Sequence, residues 1–190
     1  MGGTSYEGAI GGYLFVCPAT GADDIRFYSS HDQYPVAMYQ FLTRVEAEHY
    51  KCKVMFVDTH SINISEKAEY VAALFKCQIM PVSAGTPQEM AFVESRVRTL
   101  KRKSTAQMLG APHLPKDSWA LSDKYASYTG QFLPQSTCNF HCSFWLRTGT
   151  VIQWDIICLY NFGAPLTYGF AEGPVHKRSA IAGEGYFMGV

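Results

Sequence analysis

One stretch limits the possible folds more than any other. It begins Gly85-Thr86-Pro87-Gln88-Glu89 and runs without a further Gly or Pro to Leu109. Thr86 is a good helix N-cap, Pro87 suits the first helical position, and Glu89 completes a capping box. Gly110 and Pro112 supply the stop. The expected helix has about 23 residues and a length of roughly 34 Å. A helix that long must lie along one side of a domain, and Met90, Val93, Val97 and Leu100 give it an apolar stripe to bury. Beside the stripe stands Glu94, two turns in.

The elements before it are short and alternate in type. Gly12 to Cys17 reads as a buried strand and Ile25 to Tyr28 as its hairpin partner across the turn-rich Pro18 to Asp24. From Val36 to Tyr50, Met38, Phe41, Leu42 and Val45 recur at helical spacing. Lys53 to Val57 is a third strand, with Asp58 at its end. Asn63 or Ser65 opens a helix with Ala68, Val71, Ala72 and Phe75 on one face, and Cys77 to Val82 is a fourth strand. After the long helix, Lys116 to Leu133 reads as another helix that Pro134 ends. Val151 to Leu159 and Tyr186 to Val190 read as short strands. The order predicts a layered α/β domain over 1–135, with an extension of short strands over 136–190.

Hydrophobic residues at 47% provide for a core, and 16 basic residues balance 16 acidic ones. That balance argues against a surface that is basic everywhere and leaves room for a local patch. No apolar run is long enough to span a bilayer, and Met1 to Gly12 lacks the pattern of a secretory signal. Six scattered cysteines in such a chain suggest a reduced, intracellular protein. Cys138, His141 and Cys142 are close in sequence but lack the second clustered pair of a zinc site, so an ordinary structural segment is expected there. His60 is expected to be a loop residue.

Two features carry chemistry. Asp58 at a strand end and Glu94 on a helix are separated by 35 residues. Carboxylates placed on those two kinds of element can converge on a divalent metal ion, as in phosphoryl-transfer sites. Downstream of Glu94, five basic residues fall within eight positions: Arg96, Arg98, Lys101, Arg102 and Lys103. Arg98 with Lys101 or Arg102 shares the Glu94 face, one and two turns on. This arrangement suits a solvated helix face and a phosphate-contacting ridge equally well.

The spacing, the Gly85-Thr86-Pro87-Gln88 start and the following Glu94 with Arg98-Thr99-Leu100 resemble the catalytic core of a Copia-type retroelement integrase. Leu114 to Trp119 and the tail Leu159 to Gly163 with Ala180 to Val190 resemble that family's next elements, in the same order. The resemblance implies a ribonuclease H-like mixed sheet flanked by helices. It implies Asp58 and Glu94 as catalytic and metal-binding residues, with carboxylates on the order of 4–8 Å apart. It also implies Mg²⁺ or Mn²⁺ as cofactor, retroelement ends and target DNA as partners met by Arg98, Lys101 and Arg102, a homo-oligomer, no membrane, and a nuclear location. The implied ancestral reaction is 3′-end processing and strand transfer. The alternatives are a non-catalytic nucleic-acid- or protein-binding remnant, or an unrelated α/β protein.

The departures are specific. Thr59-His60 follow Asp58 where the family has Asn-Gly, and Met90-Ala91 stand where it has Asn-Gly after the Thr-Pro-Gln. The family's first catalytic Asp belongs on a strand before Tyr13, and Glu7 is the only acid in residues 1–12, in a Gly-rich setting. The expected fold therefore lacks its first strand, and the chain as given is expected to be a degenerate, N-terminally truncated and inactive fragment.

Overall fold

A computed structural model describes residues 3–58, 64–82, 87–154, 159–169 and 182–189. The polar, Gly-rich residues 3–10 form no strand. β1 (Gly11–Val16) and β2 (Asp23–Tyr28) form an antiparallel hairpin. Its turn closes where the Gly21 N–H donates to the Cys17 carbonyl at 2.8 Å. Gly21 has φ +64°, a conformation that residues with a side chain rarely adopt, so the turn favours glycine.

The hairpin has two faces of different character, because successive side chains alternate. Tyr13, Phe15 and Asp24 face the first helix, α1 (Tyr34–Ala47). Tyr13 meets Tyr34 edge-on, Phe15 stacks on Phe41 at 4.5 Å, and Asp24 pairs with Arg44. The opposite face carries Asp23 and Phe27. It meets α3 (Pro87–Gly110) and, after a short 3₁₀ turn at Lys116–Ser118, α4 (Trp119–Gly130).

β3 (Val54–Asp58) and β4 (Gln78–Val82) are joined by α2 (Glu66–Leu74) and pair in parallel, as a strand–helix–strand unit requires. Ser65 caps α2 by accepting the Ala68 N–H at 3.4 Å. Along β3 burial alternates, with Met55 and Val57 inside and Val54 and Phe56 outside. The main core collects Phe15, Met38, Leu42, Met55, Val57, Val71 and their neighbours. Met38 is fully buried. Met38→Ala is expected to cost about 2–5 kcal/mol, measured as the shift in a urea denaturation midpoint. A loss under 1 kcal/mol would mean that this core is not close-packed.

Cys52 and Cys77 belong to the same core, with sulfurs 3.7 Å apart. Burial pushes the Cys77 thiol up to about 12, and Cys52 is raised for the same reason. A folded-state value above the unfolded one adds stability below the ordinary thiol range, about 8.5, and that stability is lost as pH rises through the folded value. Stability is therefore expected to fall between roughly pH 9 and 12. At pH 8, iodoacetamide should label the exposed Cys17 first and Cys77 last, read by peptide mass spectrometry.

α3 and α4 pack antiparallel: Ser122 donates to the Ser104 carbonyl, and the Lys103 ammonium reaches Gly130. A second cluster, of Ala111, Leu114, Tyr125 and Phe162 with Phe187 and Met188 against it, ties residues near the C-terminus to this helix pair.

Several expectations are corrected. The expected helix from Lys116 to Leu133 is interrupted at its start by the 3₁₀ turn and ends at Gly130. Val151 to Trp154 form no strand, and Val151 and Trp154 are exposed, with no strand beside them among the described residues; residues 155–158 lie outside that set. The last strand, β6, spans Ala182–Tyr186 rather than starting at Tyr186, and it pairs with β5 (Pro165–Gly169). The short helix α5 (Ser143–Thr148) was not expected. Among the described residues, no helix is long and apolar enough to cross a membrane.

Candidate metal cleft and nucleic-acid interface

A cleft of about 540 Å³ opens between β1 and β3. Asp58 lines it from the end of β3, and Met90, Phe92 and Val93 line it from the first turns of α3. Glu94 is exposed and is not part of the lining. It follows Met90 by four residues on the same helix, so it stands one turn beyond the cleft on the row that starts there. Arg98 and Arg102 continue that row at each turn, and both are exposed. From Met90 to Arg102 the row covers roughly 18 Å.

The structure divides the five basic residues. Arg96 and Lys103 turn inward. The Arg96 guanidinium pairs with Asp23 and donates to Gln135 at 3.0 Å, and the Asp23 carboxylate also accepts from Ser127. Burial lowers the Lys103 ammonium, nearby Arg96 lowers it further, and Asp23 offsets part of the change. Arg98, Lys101 and Arg102 face solvent. Burial raises the Asp123 carboxyl on α4, and a hydrogen bond with Ser104 and the charge of Lys101 offset part of that rise. Of the three exposed residues, Arg98 and Arg102 lie on the Glu94 row and Lys101 stands beside it.

Asp23 and Asp24 also line the cleft, and sequence reasoning passed over them as part of a turn. Each is already held by arginine: Asp23 by Arg96, and Asp24 by Arg26 at 2.8 Å and Arg44 at 3.3 Å. Their strong ion pairs make them structural acids. Among the described residues no three His, Cys, Asp or Glu side chains are grouped to hold a metal ion. Cys142 caps α5 by accepting the Trp145 N–H at 3.4 Å, and His141 stacks on Trp145. His113 bonds the Gly163 carbonyl at 2.9 Å. His60 and Thr86 lie outside the described residues.

The strand and helix order, with helices on both sides of mixed pairs of strands, defines an α/β fold of the ribonuclease H-like kind. The chain is similar to the HTLV-2 integrase catalytic core domain in complex with magnesium, with a TM-score of 0.57 and 12% identity, over 72% of this chain and 83% of that one. It is similar to the catalytic core domain of BIV integrase, with a TM-score of 0.54 and 12% identity, over 72% and 84%. It is also similar to a chain of the simian T-cell lymphotropic virus intasome in complex with PP2A regulatory subunit B56 gamma, with a TM-score of 0.59 and 14% identity, over 82% of this chain and 54% of that one. The fold is that of retroviral integrase catalytic cores. No protein-family model matches the sequence, and no curated protein matches it.

Proposed function

We propose that this chain is an integrase-like core of Copia type that binds DNA along α3 and, as given, does not join DNA ends. The observation that carries the reading is the row Met90, Glu94, Arg98 and Arg102, which leads out of the cleft that Asp58 lines. On this reading Asp58 stands at the cleft, Glu94 one turn beyond its α3 lining, and the cations further along the same row. Phosphate oxygens are met by such cations, and base edges are not.

Asp58 and Glu94 are the residues that would hold a divalent ion. Their chemistry suits Mg²⁺, which is often bound through one or two carboxylates with water and substrate phosphate completing its shell. Such an ion supplies charge stabilisation at a reacting phosphoryl oxygen. Two carboxylates fall short of the set that clamps two ions, and the described residues group no third ligand with them. That shortage underlies the proposed inactivity. DNA contact, homo-oligomerisation and nuclear residence belong to this same reading. The protein's own residues would position the DNA backbone, with Arg98 and Arg102 neutralising phosphates.

The experiment is a salt titration of duplex binding beside an end-joining assay. Binding to a 30-base-pair duplex of arbitrary sequence should have a Kd of roughly 1–100 μM near physiological salt and tighten steeply as salt is lowered. With Mg²⁺ or Mn²⁺, no joining of DNA ends is expected. Absence of binding at 50 mM salt would overturn the DNA reading. Joining that Glu94→Gln abolishes would overturn the inactivity.

A further inference from the structure

Cys52 and Cys77 stand at the same end of two paired strands. Cys52 comes just before β3 and Cys77 just before β4. The ladder sets Val54 opposite Gln78, and the Gln78 N–H donates to the Lys53 carbonyl at 2.8 Å. Carried one step back, that register puts Cys77 opposite Lys53 and Cys52 on the diagonal. Paired strands lie about 4.8 Å apart and rise about 3.3 Å per residue, which puts the two Cα atoms roughly 6 Å apart. A disulfide spans about 4.4–6.8 Å between Cα atoms. The turn before Cys77 is held, with Lys76 at φ 53° and the Cys77 N–H donating to the Ala72 carbonyl at 2.9 Å. The sulfurs are already 3.7 Å apart, and an S–S bond of about 2.05 Å needs only side-chain rotation.

The two thiols differ in reach. Cys77 is buried and Cys52 is half-buried. The Cys77 S–H donates to the Cys52 sulfur, and a donor there favours the Cys52 thiolate. Cys52 is therefore the sulfur that attacks an oxidant, and Cys77 the one that completes the bond. Of the four sequence neighbours of the pair, Lys51, Lys53 and Lys76 are lysines and Gln78 is neutral, and all four are exposed. Glu48, the acid nearest Cys52 in sequence, is already paired with Arg44 and Arg147. Such a setting attracts an oxidant that carries negative charge.

We propose that Cys52 and Cys77 are a reversible redox site, which a small anionic disulfide of the glutathione type oxidises to one intramolecular disulfide. The Cys52 thiolate attacks one sulfur of the oxidant, the oxidant's S–S bond breaks, and half of it leaves as a thiolate. Cys77 loses its proton to solvent and attacks the Cys52 sulfur, expelling the other half. The protein gives up two electrons and two protons, and the oxidant becomes two thiols. Burial keeps both protein thiols protonated at neutral pH, so the exchange is slow, on the scale of minutes to hours. The bond closes a loop that holds the whole of β3, with Asp58, and the whole of α2. The inference stands on the thiol pair and does not rest on the DNA reading.

The test uses the whole chain under native conditions in a glutathione buffer near pH 7.5. Thiols are trapped with N-ethylmaleimide and the peptides mapped by mass spectrometry. A Cys52–Cys77 linked peptide should form and vanish with dithiothreitol, and the oxidised chain should melt roughly 6–12 °C higher than the reduced one. Cys77→Ala should show no such rise and should keep one glutathione on Cys52, because the completing thiol is gone. Changing Lys51, Lys53 and Lys76 together to Gln, at exposed positions outside the core, should slow oxidation by glutathione disulfide about threefold or more at low salt. Oxidation by the uncharged 2-hydroxyethyl disulfide should keep its rate in that variant. A link from Cys52 to Cys17 in place of Cys77, a link that forms only in urea, or an unchanged melting temperature would overturn the proposal. Equal slowing with both oxidants, or with neither, would overturn its choice of an anionic partner.

Discussion

Asp23→Ala should destabilise the chain by about 3–5 kcal/mol, because it leaves a guanidinium buried without its counter-ion. The side chains of Asp23 and Arg96 are 5% and 15% exposed, and Ser127 donates to the same carboxylate. One acid thereby joins β2, α3 and α4, the elements on the outer face of the hairpin. Total stability of a domain is about 5–15 kcal/mol, so the loss is a large part of it. For a chain of this size each kcal/mol moves the melting temperature by roughly 2–4 °C, which puts the expected drop at roughly 6–20 °C. The Glu48 pair with Arg44 is the contrast. It is an i,i+4 helix pair with side chains 31% and 39% exposed, and screening holds its contribution to about 0.3–0.5 kcal/mol. Glu48 also meets Arg147 at 3.3 Å, and Arg44 also holds Asp24, so the contrast variants are Glu48→Ala and Glu48→Gln, which leave the Asp24 pair intact. Melting curves for these variants decide the matter: if Asp23→Ala melts with them, the buried pair is not holding the three elements together. Replacing both Asp23 and Arg96 with Leu should restore part of the loss, since no charge is then left unpaired.

That pair also shows what could be read in advance and what could not. The helices and strands from Gly11 to Gly110 announce themselves through local signals: alternation along β3, helical spacing in α1, and Ser65 at the start of α2. Asp58 at a strand end followed from the same pattern. Asp23 gave no such signal, because its partners Arg96 and Ser127 are 73 and 104 residues away. The inward turn of Arg96 and Lys103 was legible in principle. They are seven residues apart, two helical turns, with the buried Leu100 between them on one face. Reading the five basic residues as one run hid that split.

The C-terminal errors have a different origin. Val151 and Trp154 look like strand residues by composition, yet strand propensity expresses a fit to a neighbouring strand, and none is present for them among the described residues. α5 has only six residues, too few for a period to emerge. β5 and β6 pair through Gly-containing segments whose register depends on each other rather than on a local pattern.

The largest expected effect on binding comes from changing Arg98, Lys101 and Arg102 together to Ala. All three are exposed, on a helix whose inner face is held by Leu100, Arg96 and Lys103, so the fold should survive the change. Each phosphate contact contributes about 0.9 to the slope of log affinity against log salt, so three lost contacts flatten it by roughly 2–3. At 0.1 M salt that corresponds to roughly a hundredfold weaker binding. The effect should be the same for duplexes of different sequence, because phosphates carry no sequence information. The share of Lys101 should be the smallest, since it stands off the row of Glu94, Arg98 and Arg102. Arg98→Ala with Arg102→Ala should therefore recover most of the triple effect, and Lys101→Ala alone little of it. Lys67→Ala, exposed on α2 and away from the row, is the control and should leave the slope unchanged. An unaltered slope in the triple variant would make this face of α3 an ordinary solvated surface. The DNA reading would then lose its cations.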